Sequence, residues 1–232
     1  MKKIVCALLT LCLSLSCLTG CLAEKKFPGS DKIEAMRKTV ADYDSCRYYI
    51  TNLDTGVLEQ VFAYYYDGED RQVYLCEGMQ GGEYYAEYSN GLELFREEDG
   101  VGANIGSTDP TYAKYTREEP HPYSTGQLFF YINGYIEAAE ELTDENGNTI
   151  YMYYYNLEKL NKVLDEAVSE FSTAYAFDPD GNFLYFRQHN ASADYTDDNG
   201  VPISFAYEIT VHDVNSLTEL ENPVVIGGSA VK

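Results

Sequence analysis

Three histidines, six cysteines and 38 acidic residues are the groups in this 232-residue chain that could perform chemistry. His121, His189 and His212 lie far apart. A three-histidine metal site would need the fold to gather a Pro-rich loop, a strand and a strand end. Asp178-x-Asp180-Gly181-Asn182 has the start of a calcium loop. Such loops place oxygen ligands at alternating positions and a bidentate Glu at the twelfth. Here the twelfth position is His189, which cannot serve. Asp144-Glu145-Asn146-Gly147 and Asp197-Asp198-Asn199-Gly200 are similar, and all three read as hairpin turns. Gly-x-Ser-x-Gly, His-Glu-x-x-His, a Gly-rich phosphate loop and Cys-x-x-Cys do not occur in the chain. The expectation is a protein that is not an enzyme and takes no cofactor and no metal.

The cysteines divide by position. Lys2 and Lys3 precede an apolar run from Ile4 to Leu18, and Leu18-Thr19-Gly20-Cys21 follows. A positive start, a short apolar stretch and small residues before a cleavage point make a secretory signal. The run is shorter than the roughly twenty residues a spanning helix needs. The four residues ending at Cys21 resemble the lipobox of bacterial lipoproteins. That resemblance implies cleavage before Cys21, lipid on its sulfur and new N-terminus, and a domain anchored on the outer face of the cell membrane. Residues 1–20 are then the signal, 21–30 a tether and 31–232 a single domain. Cys6, Cys12 and Cys17 leave with the signal, so only Cys46 and Cys76 belong to the fold.

Charge narrows the partners. Removing Lys2 and Lys3 leaves 14 basic against 38 acidic residues, a net charge of −24. Nucleic acid is excluded as a partner, because its phosphates require basic patches. The 23 Tyr and 10 Phe favour pleated, half-buried strands.

The elements that must position any site follow from periodicity. Residues 31–43 read as a helix, with Asp31 as N-cap, Glu34 completing a capping box, and an apolar stripe of Ile33, Met36, Val40 and Tyr43. Cys46–Leu53 and Val57–Tyr66 form a hairpin that sets Tyr48 opposite Phe62 and Cys46 opposite Tyr64. The turn 67–70 predicts Tyr66 opposite Arg71, so that Tyr48, Ile50, Phe62, Tyr64, Val73 and Leu75 share a face and Cys76 points away. Cys46 and Cys76 should therefore not bond. Strands follow at 84–89 and 92–96 around Asn90-Gly91. Residues 97–125 read as a long irregular segment, and 127–131 as a short helix or strand. A second hairpin, 134–142 with 148–155, precedes a helix over 157–167 capped by Asn156. Residues 168–177 and 182–191 pair with Phe177 opposite Phe183 and Tyr175 opposite Tyr185. The strand Val201–Val211 alternates cleanly, and residues 221–226 read as an added edge segment. The fold class is α+β, mainly β: a curved antiparallel meander of about ten strands, a half-barrel with two or three helices on its concave side.

This order of elements, with the Asp178-Pro179-Asp180-Gly181-Asn182 turn and the closing strand Phe205-Ala206-Tyr207-Glu208-Ile209-Thr210-Val211, resembles the LolA-like superfamily of lipoprotein carriers and mycobacterial lipid-binding lipoproteins. The likeness spans residues 31–226. It implies a concave cavity that holds acyl chains. The expected lining residues are Tyr48, Ile50, Phe62, Tyr64, Phe205, Tyr207 and Ile209, and the expected partner is a lipid or other amphiphile. The alternative is an envelope interaction or sensor module with a solid core, meeting a protein partner through its Tyr-rich surface or residues 97–125.

Overall fold

The computed structural model describes residues 26–80, 83–98, 100–106, 115–164, 167–197 and 199–226. The signal and residues 21–25 of the tether, Cys21 among them, lie outside these residues. Eleven strands form one open, curved antiparallel sheet. They are β1 (Ser45–Asn52), β2 (Leu58–Tyr66), β3 (Gln72–Gln80), β4 (Glu83–Ser89), β5 (Leu94–Glu98) and β6 (Val101–Asn104), then β7 (Ile136–Thr143), β8 (Thr149–Tyr155), β9 (Val168–Phe177), β10 (Phe183–Thr196) and β11 (Pro202–His212). Their spatial order is β6-β5-β4-β3-β2-β1-β11-β10-β9-β8-β7. The chain therefore walks outward from β1 to one edge, crosses to the far edge, and walks back until β11 zips against β1. The stretch 97–125, expected to be irregular throughout, instead holds the end of β5 and all of β6, and the described residues 105–106 and 115–135 belong to that crossing.

Helix α1 (Ser30–Ala41) buries Ile33, Met36 and Val40 as expected. Its cap differs: Gly29, at φ 74°, is the N-cap and Asp31 sits in the first turn, paired to Lys26 at 3.2 Å. A left-handed residue there leads the chain in close beneath β8, where a Cβ on Gly29 would lie 2.5 Å from the Tyr151 ring. Helix α2 spans only Leu157–Leu160, capped by Asn156. It stops early because the Asn161 side chain accepts from Val168 N–H and donates to Val168 C=O, both at 2.9 Å, and so joins the chain directly to β9.

The β1–β2 register is as predicted, with Tyr48 opposite Phe62 and Cys46 opposite Tyr64. The β2–β3 register is one residue off: Tyr66 pairs with Gln72 and Phe62 with Cys76. The cause is the turn. Asp67 and Arg71 close a three-residue loop in which Asp70 takes the left-handed conformation, at φ 59°. The Asp67 carboxylate fixes it by accepting from the N–H groups of Glu69 and Arg71. A slip of one residue exchanges the faces of a strand. Val73 and Leu75 thus lie on the convex face, and Tyr74 and Cys76 on the concave one. Cys46 and Cys76 are both free. They now share a face, and what separates them is the intervening strand, about 9.6 Å at the usual spacing, together with a two-residue offset along it, because Cys46 lies opposite Tyr64 and Cys76 opposite Phe62; that is beyond disulfide reach. At the other hairpin Tyr175 pairs with Phe186, not Tyr185, because a bulge follows Phe183. The Asn90-Gly91 turn is a four-residue loop that pairs Ser89 with Leu94.

Val73 is buried although it faces outward, and the C-terminal segment straps this convex face. Leu217 N–H donates to Ser45 Oγ at 3.0 Å, and Ile226 forms a parallel bridge to Gly102 on β6. A Cβ at Gly102 would sit 2.2 Å from the Val225 carbonyl oxygen. Gly102→Ala should therefore lift the strap and lower stability by about 1–3 kcal/mol, the usual cost of overpacking. Urea unfolding checks this; an unchanged midpoint would show that the strap yields freely.

Candidate functional site: the concave face

Cross-strand pairing sorts the concave face into rows. Cys46, Tyr64, Tyr74, Ser89 and Leu94 form the first. Val211, Tyr48, Phe62, Cys76, Glu87 and Arg96 form the second. Tyr175, Phe186, Ile209, Ile50, Gln60 and Gly78 form the third. Then come Tyr153, Thr173, Gln188, Tyr207 and Asn52, and last Phe171, Asn190 and Phe205. All seven expected lining residues share this one face. They do not share one environment.

Tyr48, Phe62, Tyr64 and Ile209 are wholly buried, and Ile50 nearly so. The crossing segment covers them. Leu128, Phe129, Phe130 and Tyr131 are all buried. Phe129 stands edge-on to Tyr48, Phe183 and Phe186, with ring centroids 6.0, 5.4 and 5.8 Å away. Phe130 meets Tyr155 and Phe171, and Tyr131 meets Tyr153 and Tyr175.

A buried segment outside the sheet must still satisfy its backbone. Side chains do so here. Arg37 of α1 donates from Nε to Gly126 C=O at 2.8 Å and from Nη1 to Tyr131 C=O at 3.2 Å. Tyr155 and Tyr175 both donate to Phe130 C=O, at 3.3 and 2.7 Å. Tyr131 Oη donates to Ser30 Oγ at 2.8 Å, and the Tyr153 hydroxyl reaches Pro28 C=O. Four of the 23 tyrosines are thereby explained. These rings fill space as Phe would, and their hydroxyls replace the hydrogen bonds that a ladder would have made.

His121 belongs to the same cover. Its ring stacks on Phe62 at 4.7 Å and lies against Tyr74, Tyr115 and Tyr123. Its Nδ1 accepts from Tyr123 N–H, and the His121 backbone N–H donates to Gln72 Oε1 at 2.7 Å. Burial pushes its pKa down to about 3, so the imidazole is neutral. Burial likewise pushes the Cys46 thiol up to about 12, which leaves no thiolate to attack or to bind metal. His189 and His212 are far from it: His189 lies 3.8 Å from Glu170, and His212 meets Thr210 at 2.9 Å. Among the described residues no three metal-binding side chains cluster. The calcium-like turns spend their carboxylates on themselves. Asp144, Asp178 and Asp197 each accept backbone N–H groups of their own hairpin. Those bonds hold all three carboxyls below the usual range, with the Asn182 side chain the leading contributor at Asp178.

Phe205 and Tyr207 differ from the other five. They are half-buried, at the end of the sheet where β10 and β11 run past β1. Beside them on the same face are the amides of Gln188 and Asn190, each 2% exposed and 3.5 Å from one another. This end of the face combines two rings with paired amides. The amides carry no signal of a site in sequence, since only the register reveals that they share the ring-bearing face.

No helix among the described residues is long and apolar enough to cross a membrane. No family model matches the chain, and no curated protein matches it. Among solved structures, the chain is similar to LprF from Mycobacterium bovis, with 7% identity and a TM-score of 0.48 over 87% of this chain and 100% of that one. It is also similar to the Mycobacterium tuberculosis lipoprotein LppX, with 10% identity and a TM-score of 0.47 over 84% of this chain and 100% of that one.

Proposed function

We propose that this is a non-enzymatic extracytoplasmic lipoprotein, tethered to the membrane through Cys21, that binds a hydrophobic or amphiphilic ligand at the Phe205 end of its concave face. The observation that carries the reading is the pair of half-buried rings, Phe205 and Tyr207, flanked by the amides of Gln188 and Asn190. Rings offer apolar contact and amides orient a polar group, the usual division of labour in a small-molecule site. Ligand uptake is confined to this end, because the chain itself occupies the deep part of the face. The protonated Cys46 thiol and the neutral, enclosed His121 support the absence of catalysis.

Native mass spectrometry of the full chain with total lipid extract tests the reading. The expected result is a bound amphiphile whose occupancy falls at least tenfold in Phe205→Ala/Tyr207→Ala, while Tyr49→Ala on the convex face leaves it unchanged. No adduct under any lipid, with folding intact, would overturn it. In its place would stand an envelope interaction module with a solid core and a protein partner. The Leu128–Tyr131 filling favours that second reading.

A further inference from the structure

The two edges of the sheet are treated differently. At β6 the chain caps its own edge, with Ile226 bridging Gly102. At β7 no strand is added among the described residues, and from Glu137 to Thr143 all side chains but Ala139 are exposed. The hairpin register says which groups are free. Asp144 N–H donates to Asn148 C=O, so Leu142 and Glu140 also point their backbone groups inward to β8. The N–H and C=O groups of Ala139, Glu141 and Thr143 therefore point outward. They form a regular three-residue template for another strand.

Charge selects what can add. The β7–β8 hairpin, residues 136–155, carries Glu137, Glu140, Glu141, Asp144 and Glu145 and no Lys or Arg. None of its four glutamates forms an ion pair among the described residues. Glu141 faces the concave side with Tyr151, and Glu140 faces the convex side with Met152. Leu142 and Ala139 flank them. A second copy of the chain is disfavoured. An antiparallel β7 pair that opposes outward groups to outward groups centres on Glu141 and sets Glu141 against its own copy and Glu137 against Glu145, and like charges directly opposite repel.

We propose that β7 is a docking edge for an extended segment of another protein, with two consecutive basic residues between apolar or small ones. Successive residues of a strand point to opposite faces. One basic side chain thus meets Glu141 on the concave side, and its neighbour meets Glu140 on the convex side. The apolar neighbours lie over Leu142 and Ala139. The site is independent of the ligand end at Phe205.

Amide exchange followed by NMR on the full chain tests this with a Thr-Val-Lys-Arg-Val-Thr peptide and its Glu-Glu twin as probes. The expected result is at least tenfold slower exchange at Ala139, Glu141 and Thr143 with the basic peptide and no change with the acidic one. Glu141→Pro, which removes an outward N–H that an edge strand can spare, should abolish binding. Glu140→Lys/Glu141→Lys, which leaves the backbone intact, should reverse the preference. Binding without protection of those three amides would mean general charge attraction and overturn the proposal. So would undiminished binding of the basic peptide by the charge-reversed variant. Protection without peptide, together with a dimer mass, would assign the edge to a second copy instead and equally overturn it.

Discussion

Replacing Phe129 by alanine is expected to destabilise the fold by about 3–5 kcal/mol, the range for emptying a buried phenylalanine site. The ring is fully buried and touches Tyr48, Phe183 and Phe186, so its loss opens a void where three elements meet. Collapse cannot easily close that void. Arg37 and the two tyrosine hydroxyls pin the backbone on either side of it. Phe205→Ala removes a ring of the same size from a half-buried position and should cost less than half as much. Urea unfolding of the two variants makes the comparison. Equal losses would mean that the crossing segment is not part of the cooperative core.

Acid should weaken the fold in two stages, and His121 accounts for the first. Its folded pKa is lowered to about 3 by burial, below the ordinary value of 6.5. The unfolded chain therefore binds a proton that the folded chain refuses, and stability falls as pH drops from about 6.5 towards 3. The full shift corresponds to about 4–5 kcal/mol at 1.36 kcal/mol for each unit. The second stage belongs to the turn carboxylates. Asp144, Asp178 and Asp197 have folded pKa values lowered chiefly by hydrogen bonds within their hairpins. Their contribution is complete above an unfolded value near 3.9 and disappears as pH falls through the lower folded ones. Between pH 6.5 and 4.5 the histidine acts almost alone. His121→Gln should flatten the stability profile in that window and leave the steeper loss below it. A slope between pH 6.5 and 4.5 identical to that of the parent chain would dismiss the account.

The fold class was legible because strand alternation and turn residues are local signals. β11 shows this best: its alternation from Ile203 to Val211 needs no partner to be seen. The β1–β2 register was legible for the same reason, since Gly56 marks the turn. The β2–β3 register was not. There the left-handed position is filled by Asp70 rather than by the glycine two residues earlier. What stabilises that choice is a carboxylate–backbone arrangement that depends on side-chain geometry. The seven residues expected to line the concave face do share it, whereas Val73 and Leu75, expected beside them, moved to the convex face with the β2–β3 slip, and the segment that covers the face carries no sequence signal. Residues 128–131 are short, and their backbone bonds go to Arg37, Tyr155 and Tyr175, from 25 to 94 positions away in sequence. No local pattern encodes such bonds. The short α2 has a more local cause: Leu157, Leu160, Val163 and Leu164 fit a helical stripe, and the Asn161 amide, bonded both ways to the backbone of Val168 seven positions on, redirects the chain.

The strand order also bears on how the chain is made. β1 is complete by residue 52, yet its second neighbour is β11, which ends at residue 212. A ribosome or a secretion channel delivers the N-terminus first. The hairpins from β1 to β6 can close as they emerge, while the outer flank of β1 stays open until nearly the whole polypeptide has appeared. Closing so long a loop carries a large entropic cost, and distant pairings are the slow ones. The β1–β11 junction is thus a late seam, followed only by the strap at 217–226. During that wait, Tyr48 and Ile50 are the residues that most need shielding from neighbouring chains.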